Sequence, residues 1–231
     1  MTEALQAPKF IGERIKRRED PRLLQGLAHY VDDLAPPGCL HVAVVRSVHA
    51  HARLKSVDTA PALGLPGVVA VFTGEDTKDV GPVPVAALTD DTKVPHHPIL
   101  AQGTVRYVGE PIAAVVAADR YASQDGADRV RVEYDPLPAV VDPEKALEPG
   151  APKVHEDFED NLAFTWGVPG EGVEAALKGS DRVIRQRMVH GRVVPCPMET
   201  RGVLADYDVG AEKLTLWSST QIPHYVHHAL A

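Results

Sequence analysis

The chain has 231 residues, a hydrophobic fraction of 44% and a formal net charge of -8. That length bounds it to one large domain or two small ones, and an acidic balance with scattered positive charge excludes nucleic acid and anionic membrane surfaces as natural partners. Apolar runs stay far shorter than a membrane span, so no membrane-spanning helix is expected. Cys39 and Cys196 are too few and too far apart for a disulfide framework, which fits a reducing, cytoplasmic setting. The first residues, Met-Thr-Glu-Ala-Leu-Gln-Ala-Pro, lack the basic and apolar regions of a secretory signal. Aromatic residues make up only 5%, so the core is expected to be aliphatic.

In chain order, Phe10 to Asp33 alternates charges of both signs and reads as a solvated extended arm with local ion pairs. Pro36-Pro37-Gly38 is a turn. Leu40 to Val45 reads as a strand, Leu54 to Val57 as a second short one, and Pro61 to Leu65 as one helical turn broken by Pro66-Gly67. Val68 to Phe72 is a continuous apolar strand. Asp79 to Gly103, rich in Pro, Asp, Thr and His, is a long surface excursion.

The organising unit follows. Ile112 to Val116 is apolar, β-branched and too short for a buried helix. Asp119 is the expected N-cap of a helix over Arg120–Arg129, and Val130 to Tyr134 alternates like a half-buried strand. Strand, helix and strand in so few residues suggest a compact crossover, right-handed if the strands lie parallel. Pro143 to Pro152 suits a domain boundary. Beyond it, Gly172 to Lys178 is a short helix closed by Gly179, and Arg182 to Val194 alternates as a long strand. Pro195-Cys-Pro-Met-Glu-Thr-Arg-Gly202 is a loop framed by prolines. Val203–Asp208 and Lys213–Ser218 form a hairpin around Gly210, and Pro223 opens a last helix that lacks a closing Gly, Asn or polar tail. A short uncapped helix at the end of the chain leads us to expect a truncated or split version of a longer protein.

Few residues offer chemistry. Gln221 stands just before the N-terminus of the last helix, where free N–H groups draw electronegative atoms; its neutral amide suits an oxyanion, an oxo group or a phosphate, or else caps its own loop. Glu199 and Arg201 in the proline-framed loop are expected to pair structurally, with the backbone or each other. His49 with His51, and His224 with His228 at i, i+4, have spacings seen in zinc sites, yet no Cys or carboxylate pattern completes a ligand set. Cys196 is expected to be a small buried filler, and Ser47, Ser218 and Ser219 lack a nucleophile-elbow context. The chain has no nucleotide-binding fingerprint. From the residues alone this is a two-part α/β (α+β) protein with one suggestive polar end.

Several segments together resemble one family. They are Arg18-Glu-Asp-Pro-Arg-Leu-Leu-Gln-Gly26 with Tyr30-Val-Asp-Asp33, Arg46-Ser47 with Ala50-His-Ala-Arg53, and Pro66-Gly-Val-Val-Ala-Val71. Val105-Arg-Tyr-Val-Gly-Glu-Pro-Ile-Ala113, Val132-Glu-Tyr-Asp-Pro-Leu-Pro-Ala-Val140, Pro197-Met-Glu-Thr-Arg-Gly202, and Trp217-Ser-Ser-Thr-Gln221 with Pro223-His224 complete the set. The ordered set resembles the molybdopterin-binding large subunit of the xanthine dehydrogenase, aldehyde oxidase and aerobic carbon monoxide dehydrogenase family. Val48 departs from it, standing where the family usually has Pro.

The resemblance implies an arm over 1–20, an α/β hammerhead domain over 21–145, and the beginning of the first molybdopterin-binding domain over 146–231. It implies a molybdenum–molybdopterin cofactor, in the cytosine dinucleotide or a similarly extended form, and hydroxylation with water as oxygen source. Carbon monoxide, aldehydes and N-heterocycles are the implied substrate classes, and electrons pass to partner subunits carrying [2Fe-2S] clusters and FAD. It places Gln221 beside the molybdenum, donating to an oxo ligand. The Gly-rich loop, an active-site Cys loop and the distal catalytic Glu fall beyond residue 231, so no catalytic residue and no metal ligand is assigned within the chain, and the remainder of the large subunit is an expected partner. A non-catalytic assembly module and a zinc-binding protein are the competing expectations.

Overall fold

The computed structural model describes residues 10, 12–85, 89–168 and 170–231. The early part of the expected arm, residues 1–9 with Ile11, lies outside them, as does the stretch read for a secretory signal. The elements in order are α1 (Asp20–Leu24), β1 (His41–Arg46), β2 (Ala52–Asp58), α2 (Ala60–Leu63), β3 (Val68–Thr73), β4 (Thr104–Val105) and β5 (Pro111–Ala117). They continue with α3 (Arg120–Arg129), β6 (Arg131–Pro136), α4 (Val173–Lys178), β7 (Val203–Asp208), β8 (Lys213–Ser218) and α5 (Pro223–Leu230). The chain forms two compact units, Pro37–Val189 and Met1–Pro36 together with His190–Ala231.

In the 37–189 unit, two three-stranded antiparallel sheets form, ordered β1-β5-β3 and β4-β2-β6. β5 is the central strand of its sheet, which is why its sequence is apolar at nearly every position. Ile112, at its start, is fully buried in a cluster with Ala52, Ala101 and Val105, against which Leu54, Val57, Val132 and Tyr134 pack. Burying such a side chain stabilises a fold by about 1.5–3 kcal/mol. The core is aliphatic, as the composition requires.

α3 covers one face of the β1-β5-β3 sheet. Asp119 caps it, accepting from the backbone N–H groups of Tyr121 at 2.8 Å and Ala122 at 2.9 Å. Gly126 lets the helix sit close, since a Cβ there would lie 2.7 Å from Val115 Cγ1. The opposite face of the sheet is apolar and open. Register aligns Val42, Val116 and Ala70 in one row and Val44, Ala114 and Phe72 in the next, with Val42 59% and Phe72 46% exposed.

The expected crossover is absent. β5 and β6 belong to different sheets, and β6 pairs antiparallel with β2. Local sequence specifies each element but not its partner, and the partner is chosen by burial of Val57 and Val132 with the cluster around Ile112.

The family-matching segments of this unit bond to one another. Arg46 Nη1 donates to the Gly109 carbonyl at 2.9 Å. The backbone N–H of Ser47 donates to the Glu110 carbonyl at 2.9 Å, and that of Gly109 to the Ser47 carbonyl at 2.8 Å. Glu110, 3% exposed, turns its carboxylate onto the backbone N–H of Arg106. His51 holds the Pro-Leu-Pro stretch, its Nδ1 lying 2.8 Å from the Pro138 carbonyl while its own carbonyl accepts from Leu137 N–H at 2.9 Å. These motifs form the scaffold of the unit.

The expected strand over Arg182–Val194 does not form: the segment is irregular and exposed. A strand needs a neighbour for its N–H and C=O groups, and among the described residues none pairs with this one. Cys196 is exposed rather than buried, because the proline-framed loop around it carries no packed layer above it.

Candidate functional site

The unit formed by Met1–Pro36 and His190–Ala231 holds the polar end singled out by sequence. Its frame is the β7–β8 hairpin, with Val203 opposite Ser218 and Asp208 opposite Lys213. Asp208 Oδ1 ties the turn by accepting from Gly210 N–H at 2.9 Å and Ala211 N–H at 3.0 Å. After β8 the polar Ser219-Thr220-Gln221 run ends the strand, and Pro223 starts α5 at N1, where its missing N–H costs nothing.

Gln221 sits in the bend between β8 and α5. Its side chain is exposed and makes no hydrogen bond to any described residue. The backbone N–H groups of Gln221 and His224 likewise have no acceptor among the described residues, whereas those of Tyr225 and Val226 donate to the Ile222 carbonyl. An open amide therefore stands beside unsatisfied helix N-terminal donors, a polarity that favours an electron-rich oxygen. Gln221 does not cap its own loop.

Glu199 is anchored elsewhere. Its Oε1 accepts from the backbone N–H of Val31 at 3.1 Å, which pins the proline-framed loop to the segment after α1. Arg201 is exposed and makes no ion pair with it. Gly202 packs closely on Val31, so that a Cβ there would lie 3.3 Å from Val31 Cβ. A groove of about 360 Å³ between β8 and α5 is lined by Leu214, Leu216, Pro223, Val226, His227 and Leu230.

The histidines serve other ends. His51 is buried on the Pro138 carbonyl, and His49 stacks at a tilt on Tyr134, with ring centroids 4.7 Å apart. His224 and His228 are exposed on α5. Among the described residues no group of three His, Cys, Asp or Glu is placed to hold a metal ion. Sequence reasoning missed the part played by Ser219, which it weighed only as a nucleophile, and by Thr220, to which it gave no role of its own. Their hydroxyls are used for backbone bonds, and the signal was their place between a strand end and a Pro-initiated helix.

The model of the aldehyde oxidase and xanthine dehydrogenase α/β hammerhead domain matches residues 25–138, and that of the molybdopterin cofactor-binding domain matches residues 154–231. The chain belongs to the family of molybdopterin-binding large subunits. Its fold is the α/β hammerhead followed by the start of a molybdopterin-binding domain.

Among molybdopterin-binding large subunits, the carbon monoxide dehydrogenase large chain of Afipia carboxidovorans is 39% identical, across 97% of this chain and 29% of that one. The nicotine 6-hydroxylase large subunit of Paenarthrobacter nicotinovorans is 38% identical, across 96% of this chain and 27% of that one. The crystal structure of quinoline 2-oxidoreductase from Pseudomonas putida 86 superposes with a TM-score of 0.85 at 39% identity, across 94% of this chain and 28% of that one. The chain thus spans less than a third of the length of the family members it matches. No helix among the described residues is long and apolar enough to cross a membrane.

Proposed function

We propose that this polypeptide is the N-terminal part of a cytoplasmic molybdenum hydroxylase large subunit, an oxidoreductase that oxidises carbon monoxide, an aldehyde or an N-heterocycle with water as oxygen donor. On this reading an arm spans 1–20, the hammerhead 21–145 and the molybdopterin-binding start 146–231, and the family matches over 25–138 and 154–231 lie within the last two. The electron pair released from substrate leaves through an iron–sulfur subunit to a flavin subunit.

The observation that carries this reading is the unpartnered amide of Gln221 at the mouth of α5. Molybdenum–molybdopterin, in its cytosine dinucleotide form, supplies the redox chemistry when bound. The residues present fit such a group: Gln221 would donate a hydrogen bond toward an electron-rich oxygen of it, and as a neutral amide would add no charge there. Neighbouring N–H groups of Gln221 and His224 reinforce the same polarity. The hammerhead serves as scaffold, and its two open rows, Val42, Val116 and Ala70 beside Val44, Ala114 and Phe72, are suited to cover by the remainder of the large subunit.

Two measurements test this. The 231-residue chain purified alone is expected to hold no stoichiometric molybdenum by elemental analysis, and a full equivalent of metal overturns the division of labour. In the assembled enzyme, Gln221→Ala is expected to lower turnover about 10–100-fold, the usual cost of losing an outer partner of a metal group. Unchanged turnover removes the assignment of Gln221.

A further inference from the structure

Gln221 makes no bond of its own, so its place is set by its neighbours. Ser219 reaches back along the fold: its Oγ accepts from the backbone N–H of Gly202 at 2.8 Å, its own N–H donates to the Gly202 carbonyl at 3.1 Å, and its hydroxyl faces that carbonyl at 3.4 Å. Thr220 reaches forward, its Oγ1 accepting from Ile222 N–H at 3.1 Å and closing a tight turn over Gln221. The β7–β8 ladder ends at the Val203–Ser218 pair, so Ser219 extends the pairing one residue past the last strand register. Gly202 is itself seated on Val31, whose N–H binds Glu199.

We propose that Ser219 is a positioning residue for Gln221: its hydroxyl clips the segment after β8 to Gly202 and so holds the Gln221 amide at the mouth of α5. The proposal rests on the reading of Gln221 as facing the cofactor. An exposed Gln loses rotamer freedom when it binds, and a backbone already fixed on both sides lowers what remains to be ordered. Ala at 219 removes the hydroxyl bonds to Gly202 while leaving the backbone bond. Thr at 219 keeps a hydroxyl.

The test uses the full-length large subunit in its assembled enzyme, with Ser219→Ala, Ser219→Thr, Gln221→Ala and the Ser219→Ala/Gln221→Ala double variant. Amide hydrogen exchange of the metal-free protein is expected to show Gly202 exchanging up to about tenfold faster in Ser219→Ala and unchanged in Ser219→Thr. In the loaded enzyme, the electron paramagnetic resonance spectrum of the reduced metal is expected to shift in Gln221→Ala and, in the same direction, in Ser219→Ala. The double variant is expected to match Gln221→Ala alone, since the hydroxyl acts through the amide. A spectrum shifted by Gln221→Ala but not by Ser219→Ala overturns the role of Ser219 and spares that of Gln221. A spectrum unmoved by Gln221→Ala overturns the underlying reading of the site. Additive shifts in the double variant show that Ser219 acts on something other than Gln221 and also overturn the proposal.

Discussion

The two units of this chain differ in how far they bury their signature residues. In the 37–189 unit the family-matching residues point at each other: Arg46 on Gly109, Ser47 on Glu110, His51 on Pro138. All buried described residues lie in this unit. In the unit built from residues 1–36 and 190–231 the matching segments also bond to one another, Val31 to Glu199 and Gly202 to Ser219, but no described residue is buried and Gln221 is left open. The contrast teaches that a recurring motif has two physical uses. One set is consumed in making a buried scaffold, and the other leaves a polar side chain open, the Gln221 amide that we propose faces the cofactor.

The largest test of this contrast is core truncation. Ile112→Ala is expected to cost about 2–5 kcal/mol in chemical denaturation, because it leaves a void among Ala52, Ala101 and Val105. Ile222→Ala, at a 56% exposed position in the other unit, is expected to stay within about 0.5 kcal/mol. Equal costs at the two sites break the comparison.

Next is crowding where α3 meets its sheet. Gly126→Ala places a methyl 2.7 Å from Val115 Cγ1 and 3.1 Å from Val68 Cγ2. We expect a loss of about 1–3 kcal/mol, read as a lower denaturation midpoint. Removing the helix cap is smaller: Asp119→Ala is expected to cost about 1 kcal/mol, with faster exchange of the Tyr121 and Ala122 amides.

The smallest effect is a pH dependence. Burial, and then the charge of Arg106, hold the His155 imidazole below its ordinary value of 6.5. A histidine whose folded value is depressed favours the folded state fully above its unfolded value, and that contribution is lost as pH falls below it. Stability of the 37–189 unit is therefore expected to decline as pH drops below about 6.5. His155→Gln is expected to flatten that slope, and an unchanged slope in the variant removes His155 as its source.

Much of the local structure was legible. The α3 span, its Asp119 cap and the β7–β8 hairpin match the expected limits, because caps, turn residues and strand periodicity act within a few residues of themselves. Charged alternation in the arm signalled exposure and local pairing, with Arg17 and Asp20 paired at 3.0 Å, but the arm is not extended throughout: α1 forms over Asp20–Leu24, opened by Pro21. Arg182–Val194 misled, because alternation marks a segment fit for a strand without supplying its partner. Cys196 misled for a related reason: residue type predicts burial only where a layer exists to bury it.

The amino-acid order alone determined the span of α3 and its cap, the β7–β8 hairpin, the aliphatic character of the core and the position of Gln221 ahead of α5. These depend on interactions between residues near in sequence and on composition. Only the tertiary structure decided that β5 and β6 lie in separate sheets, that Glu199 binds Val31, and that Ser219 binds Gly202. Those choices join residues far apart along the chain, and long-range burial and hydrogen-bond satisfaction select among partners that local pattern leaves equivalent.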